Sequence, residues 1–111
     1  MKLLLRLVIS TLAILVAAHV VPGVVVASTT TAIIVAIVLG ILNTFLKPVL
    51  QILALPITIL TLGLFYFVVN VFIIYLATYL VDGFAISGFI SALLFGLVVS
   101  IVSAILGMFL D

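Results

Sequence analysis

Beyond Arg6, only three residues of this 111-residue chain carry a charge: Lys47, Asp82 and Asp111. A water-soluble globule keeps charged groups on its outside and needs many more than this. The chain is 70% hydrophobic and 5% charged, so almost every stretch of it reaches the length of about 18 apolar residues that marks a membrane span. A transmembrane barrel would alternate polar and apolar residues in short segments, and no such alternation is present. The expected class is therefore an all-α membrane protein, a single transmembrane domain over residues 1–111 with the lipid bilayer as its solvent.

The same composition narrows the chemistry. Cysteine is absent and histidine occurs once, so no metal centre and no disulfide is expected. No pair of carboxylates stands ready for acid–base work, so no enzyme activity and no cofactor is expected. A net charge of +1 is too small for nucleic-acid binding.

Shifted by 60 residues, the chain lines up with itself without a gap. Ala17 falls on Ala77, Val21 on Val81, Ala32 on Ala92, Val38 on Val98 and Leu46 on Leu106. The less common residues match as well: Ser10 meets Asn70, Asn43 meets Ser103, and the turn Pro22-Gly23 meets Asp82-Gly83. Two repeated helical hairpins follow, with four transmembrane helices at about 3–21, 31–47, 62–81 and 89–109. Gly23 and Gly83 suit helix C-terminal caps, and Ser28 and Ser87 can cap the helices that follow. The basic start and apolar run of the first segment also describe a secretory signal, with Val25-Val26-Ala27 as a cleavage site. Its counterpart in the second half favours retention as a span.

Each return helix carries a stripe of small side chains at intervals of four: Ala32, Ala36, Gly40 and Thr44 in one, Ala92, Gly96, Ser100 and Ala104 in the other. Such stripes let helix backbones approach closely in lipid. They can serve packing within a hairpin, packing between hairpins, or assembly into a homo-oligomer.

Lys2, Arg6 and Lys47 belong on the cytoplasmic side by the positive-inside rule, which puts both termini in the cytoplasm of a multi-pass protein. Residues 48–61 are apolar but short for a span, as re-entrant or interfacial segments are. Lys47, Pro48 and Pro56 mark the central break of the chain. A short helix is expected near 48–54 with a break at Pro56, Gln51, Thr58 and Thr61 helping to satisfy the freed backbone. If the segment crossed the membrane instead, there would be five spans and the second hairpin would be inverted.

Ser10, Asn43, Asn70 and Ser103 fall in the cytoplasmic half of the spans, where the repeat could gather them into a polar cluster. One role is a polar lining or substrate contact; the other is interhelical hydrogen bonding worth about 0.6 kcal/mol each. Lys47 is expected to snorkel to the interface. His19, Tyr66 and Tyr79 sit where interfacial residues do.

The run from Lys47-Pro48 through Leu55-Pro56 to Thr61-Leu62-Gly63-Leu64-Phe65, preceded by Asn43, resembles the phage holin family, superfamily IV (the YvlD-like proteins). The opening MKLLLRLVIS and the turns Val21-Pro22-Gly23 and Val81-Asp82-Gly83 fit the same family. The resemblance implies a four-span protein of the bacterial inner membrane. Its label implies oligomeric membrane lesions during phage lysis.

Three functions compete. A self-assembling, pore-forming or membrane-remodelling protein would draw on the small stripes, although a water-filled pore needs a polar lining. A structural or stress-associated membrane protein would use its polar groups only to hold helices together. A small-molecule transporter of the small multidrug resistance type would need an embedded acid, and no Asp or Glu lies in a predicted span.

Overall fold

The bilayer interior offers the backbone no hydrogen-bond partners, so a chain immersed there closes its bonds within each segment as helix. The structure, a computed structural model, describes residues 2–110 and is 81% helical. Its helices are α1 (Lys2–Val20), α2 (Thr29–Ile41), α3 (Lys47–Leu53), α4 (Leu55–Leu60), α5 (Phe65–Leu80) and α6 (Phe89–Leu110). Asp111 lies outside the described residues. At about 1.5 Å per residue, α1 reaches about 28 Å and α6 about 33 Å, enough for a hydrocarbon core of about 30 Å. Among the described residues three helices are long and apolar enough to cross a membrane, and α5 is a shorter apolar fourth.

The second span runs past its expected end at Lys47. α2 continues through a π-helical turn, Leu42–Leu46, into α3, giving 25 helical residues from Thr29 to Leu53. Pro48 is the physical reason. It has no N–H to offer Thr44, and in a regular helix its ring would strike the carbonyl four residues back. The wider turn bonds Lys47 N–H to the Leu42 carbonyl and lets the chain pass. The Thr44 hydroxyl donates to the Gly40 carbonyl at 2.7 Å within the same stretch.

The break expected at Pro56 falls earlier, at Ala54, where φ is −89° and ψ is 0°. Proline is tolerated in the first helical turn, where its missing donor is not needed, so α4 restarts just before it. The sharper reversal comes at Leu62 and Gly63, with φ of 57° and 93°. Gly63 N–H reaches the Thr58 carbonyl at 2.8 Å and Leu62 N–H the Ile59 carbonyl at 3.1 Å, the paired bonds of a Schellman cap. The third helix consequently starts at Phe65 rather than near residue 62. Thr58 and Thr61 donate to carbonyls one turn back, and Thr61 Oγ1 accepts from Phe65 N–H at 3.1 Å.

The helices carry one further element at one end. β1 (Val24–Val26) and β2 (Phe84–Ile86) form a two-stranded antiparallel sheet, with Val24 opposite Ile86, Val25 opposite Ala85 and Val26 opposite Phe84. Each strand follows a glycine with φ near 86–88° that turns the chain out of its helix. Once released, three backbone units need new partners, and each segment finds them in the other. Two more bonds flank the sheet: Ala27 N–H to the Gly83 carbonyl and Ser87 N–H to the Gly23 carbonyl, both 2.9 Å. The pairing puts both turns at one end of the molecule. Helices α1 and α5 therefore end, and α2 and α6 begin, beside the sheet.

Helix α1 packs against α2 and α6, and α5 against α6, α2 and α3. Their shared interior is a cluster of apolar side chains. Phe95, Ile14, Ile73 and Val35 are fully buried, and the rings of Phe84 and Phe95 meet at 5.4 Å. Outward, the coat is apolar: Phe45, Leu62 and Phe109 are 71%, 94% and 81% exposed. Such a surface would be an aggregation site in water and is what lipid tails require.

Candidate functional site: a lysine clamp and two clefts

The groups able to do anything other than pack lie mostly at the end opposite the sheet. Lys47, at the start of α3, is half-buried. Its Nζ donates to Asn70 Oδ1 at 3.0 Å and stands 5.1 Å from the centre of the Tyr66 ring. The amide oxygen and the ring face together offset part of the cost of keeping an ammonium near lipid. Lysine is thus a clamp between the α2–α3 rod and α5, held within the chain rather than only extended to the interface.

Asn70 has a second neighbour. A Cβ built on Gly96 would stand 2.5 Å from Asn70 Nδ2 and 3.1 Å from Ile74 Cδ1. Gly96 therefore makes room for the amide between α5 and α6. The corresponding pair in the first half, Ser10 and Ala36, is smaller on the polar side, and space remains. Both line an open cleft of about 650 Å³ between α1 and the far part of α2, together with Arg6, Gly40, Asn43 and Thr44. A second cleft, about 320 Å³, lies between α1 and α6 and is lined by Lys2, Arg6, Ser10, Ser103 and Gly107.

The four polar positions are accordingly divided. Ser10 shares one cleft with Asn43 and the other with Ser103, while Asn70 is held by Lys47. The small stripes are divided too. Ala32, Ala36, Ala92 and Gly96 are buried inside the chain, whereas Gly40, Thr44, Ser100 and Ala104 are exposed. No atom lies within 4 Å of a Cβ built on Gly40. Pro48 and Pro56 are both exposed on the central segment.

At the other end, Ser28 caps α2 by accepting from Thr31 N–H at 3.1 Å. Ser87 does not mirror it. Its hydroxyl pairs with that of Ser91 at 3.3 Å, and Ser91 donates to the Pro22 carbonyl at 2.8 Å. Among the described residues no group of three or more His, Asp or Glu side chains is placed to hold a metal. Two residues with a place at the clefts were read from the sequence only as topology markers, Lys2 and Arg6. Their spacing of four, which puts them on one face of α1, was the available signal.

Comparison with known proteins adds a family. Residues 1–105 match the family described as mycobacterial 4 TMS phage holin, superfamily IV. An uncharacterized protein of Streptomyces coelicolor is 46% identical over 86 residues, covering 74% of this chain and 69% of that protein. The uncharacterized membrane protein YvlD of Bacillus subtilis is 42% identical over 71 residues, covering 63% of this chain and 60% of that protein. No solved structure matches the chain.

Proposed function

Because the chain belongs to the four-span phage holin superfamily IV, we propose that it is a small protein of the bacterial inner membrane whose activity resides in assemblies of copies rather than in the single chain. The observation that carries this reading is the division of the small stripes. The interior of one chain is filled with apolar side chains, Gly40 and Thr44 open on the cleft beside α1, and Ser100 and Ala104 face outward on α6. Small outward residues let helices of neighbouring copies approach closely. A lesion or remodelled patch of membrane would then form between chains. No enzyme activity is assigned, and no transport through a single chain.

Ser100→Leu with Ala104→Leu tests assembly without touching the clefts. Both residues are exposed, so the fold should persist. Controlled expression should make the parent lose membrane potential and form cross-linked multimers, and the double variant should do neither. Potential lost equally in both would sink assembly through this face.

A second reading is supported by the hydroxyl groups. Thr11, Thr44, Thr58, Thr61 and Thr78 each donate to a carbonyl of their own helix, which leaves little polarity for a pore wall. A structural or stress-associated role without transport follows. Normal growth and intact potential, with multimers present, would favour it.

We further read the two hairpins as copies of one unit, with both termini cytoplasmic and residues 48–61 lying at the cytoplasmic interface. The mirrored bonds Ala27–Gly83 and Ser87–Gly23 support the first point, and Lys2, Arg6 and Lys47 the second. The chain has no cysteine, so one introduced at exposed Val25 should react with an impermeant thiol reagent in intact, outer-membrane-permeabilised cells. One introduced at Lys2 should not. The reverse pattern would invert the topology.

A further inference from the structure

The two clefts beside the start of α1 meet at Arg6 and Ser10, which line both. A glycine lines each, Gly40 the larger and Gly107 the smaller. A Cβ on either would meet nothing within 4 Å, so each glycine leaves its cleft open. The walls between are apolar, among them Leu3, Leu7, Ile37 and Phe45 in the larger cleft. The rim is cationic. Lys2 and Arg6 stand one helical turn apart, and the only acid among the described residues, Asp82, lies in the turn at the opposite end of the molecule. The third cation, Lys47, is already engaged by Asn70 and Tyr66.

We propose that these joined clefts hold one anionic phospholipid. The phosphate sits at Arg6, where the clefts meet, with Lys2 beside it. Ser10 and Asn43 offer a hydroxyl and an amide to the glycerol ester region. The acyl chains follow the larger cleft past Gly40, while the smaller cleft, where Gly107 lies level with Lys2 and Ser103 level with Arg6, takes the polar part of the headgroup. The arrangement matches the chemistry of such a lipid in order along the membrane normal: charge, then polar neutral groups, then hydrocarbon. Two cations alone attract an anionic surface only weakly, by about fivefold each. The grooves would convert that attraction into a seated molecule. The site does not depend on assembly or on pore formation.

The test is native mass spectrometry of the purified protein in a neutral detergent. Phosphatidylglycerol and phosphatidylcholine of identical acyl chains compete at equal concentration. The parent should retain one phosphatidylglycerol per chain, preferred by about tenfold or more. Arg6→Gln should lower that preference about fivefold. Lys47→Gln should leave it unchanged. Gly40→Leu should fill the larger cleft and remove both lipid adducts at unchanged helicity. The same spectra read oligomeric state, so loss of lipid and loss of assembly are separable. Equal retention of the two lipids, no effect of Arg6→Gln, or an equal fall with Lys47→Gln would overturn the site in favour of diffuse surface attraction. Displacement of the lipid by excess inorganic phosphate would overturn the acyl contribution. Should Gly40→Leu fail to fold, Arg6→Gln, at an exposed position, decides alone.

Discussion

Gly83→Ala is expected to destabilise the protein by about 3 kcal/mol, a large effect for a single methyl group. Two costs combine. The backbone at Gly83 has φ of 88°, where an L-residue other than glycine is strained by about 1–2 kcal/mol. The added Cβ would also stand 2.9 Å from the Cβ of Ala27 across the sheet. That atom is fixed to the backbone and can move only with it, so overpacking adds about 1–3 kcal/mol. The equivalent substitution at Gly23 meets the hydroxyls of Ser87 and Ser91, which can rotate, and the Ser87 Cβ at 3.1 Å, a looser contact than the 2.9 Å at Gly83. Gly23→Ala should therefore cost less. Unfolding in mixed detergent micelles measures both. The double variant Ala27→Gly, Gly83→Ala should recover the packing part and keep the backbone part. No recovery would mean that the contact across the sheet carries none of the cost.

The second large effect is expected at Gly96. Leucine there would drive a side chain into the Asn70 amide and Ile74, and would break the bond from Lys47. The loss should be about 3 kcal/mol or more, enough to empty the folded population of a marginal protein. Shortening the obstructing residue should help, so Asn70→Ser, which copies the residue at position 10, is the matched rescue. Gly40→Leu provides the contrast. It occupies the same stripe position class but opens on a cleft, and should change stability by about 0.5 kcal/mol or less. Equal damage at Gly40 and Gly96 in an unfolding assay would contradict the division of the stripes described above.

These two sites also mark the boundary of what the residues reveal in one dimension. Gly23 and Gly83 are recognisable as turn positions because each follows a turn-forming residue, Pro22 or Asp82, at the end of a span-length apolar run. That Gly83 needs its hydrogen because of Ala27 is invisible, since the two are brought together only by the sheet. Val24–Val26 and Phe84–Ile86 read as ordinary apolar residues, and their pairing depends on a partner 60 residues away. The small stripes are plain in the sequence and identical in spacing. Which half of each stripe is buried depends on how closely the neighbouring helices pack there. Whether Gly96 touches anything depends on the reach of Asn70 rather than on the stripe. The effect of Pro48 was legible as a disturbance but not as a π-turn. A proline says that a donor is missing, and the surrounding fold decides whether the helix ends or widens. Lys47 and Asn70 stand 23 residues apart along a path with two reversals, so their bond could not be drawn from spacing.

The sheet has a consequence for synthesis. When the first hairpin leaves the ribosome and enters the membrane, the partner of β1 has not yet been made. Its strand edge, with unanswered N–H and C=O groups and a valine-rich face, waits while about 60 further residues are translated and inserted, several seconds at ordinary elongation rates. The last turn, carrying β2, closes it. Ribosomes stalled after Leu80 would hold a nascent protein whose first turn is still free to pair with the same turn of another chain.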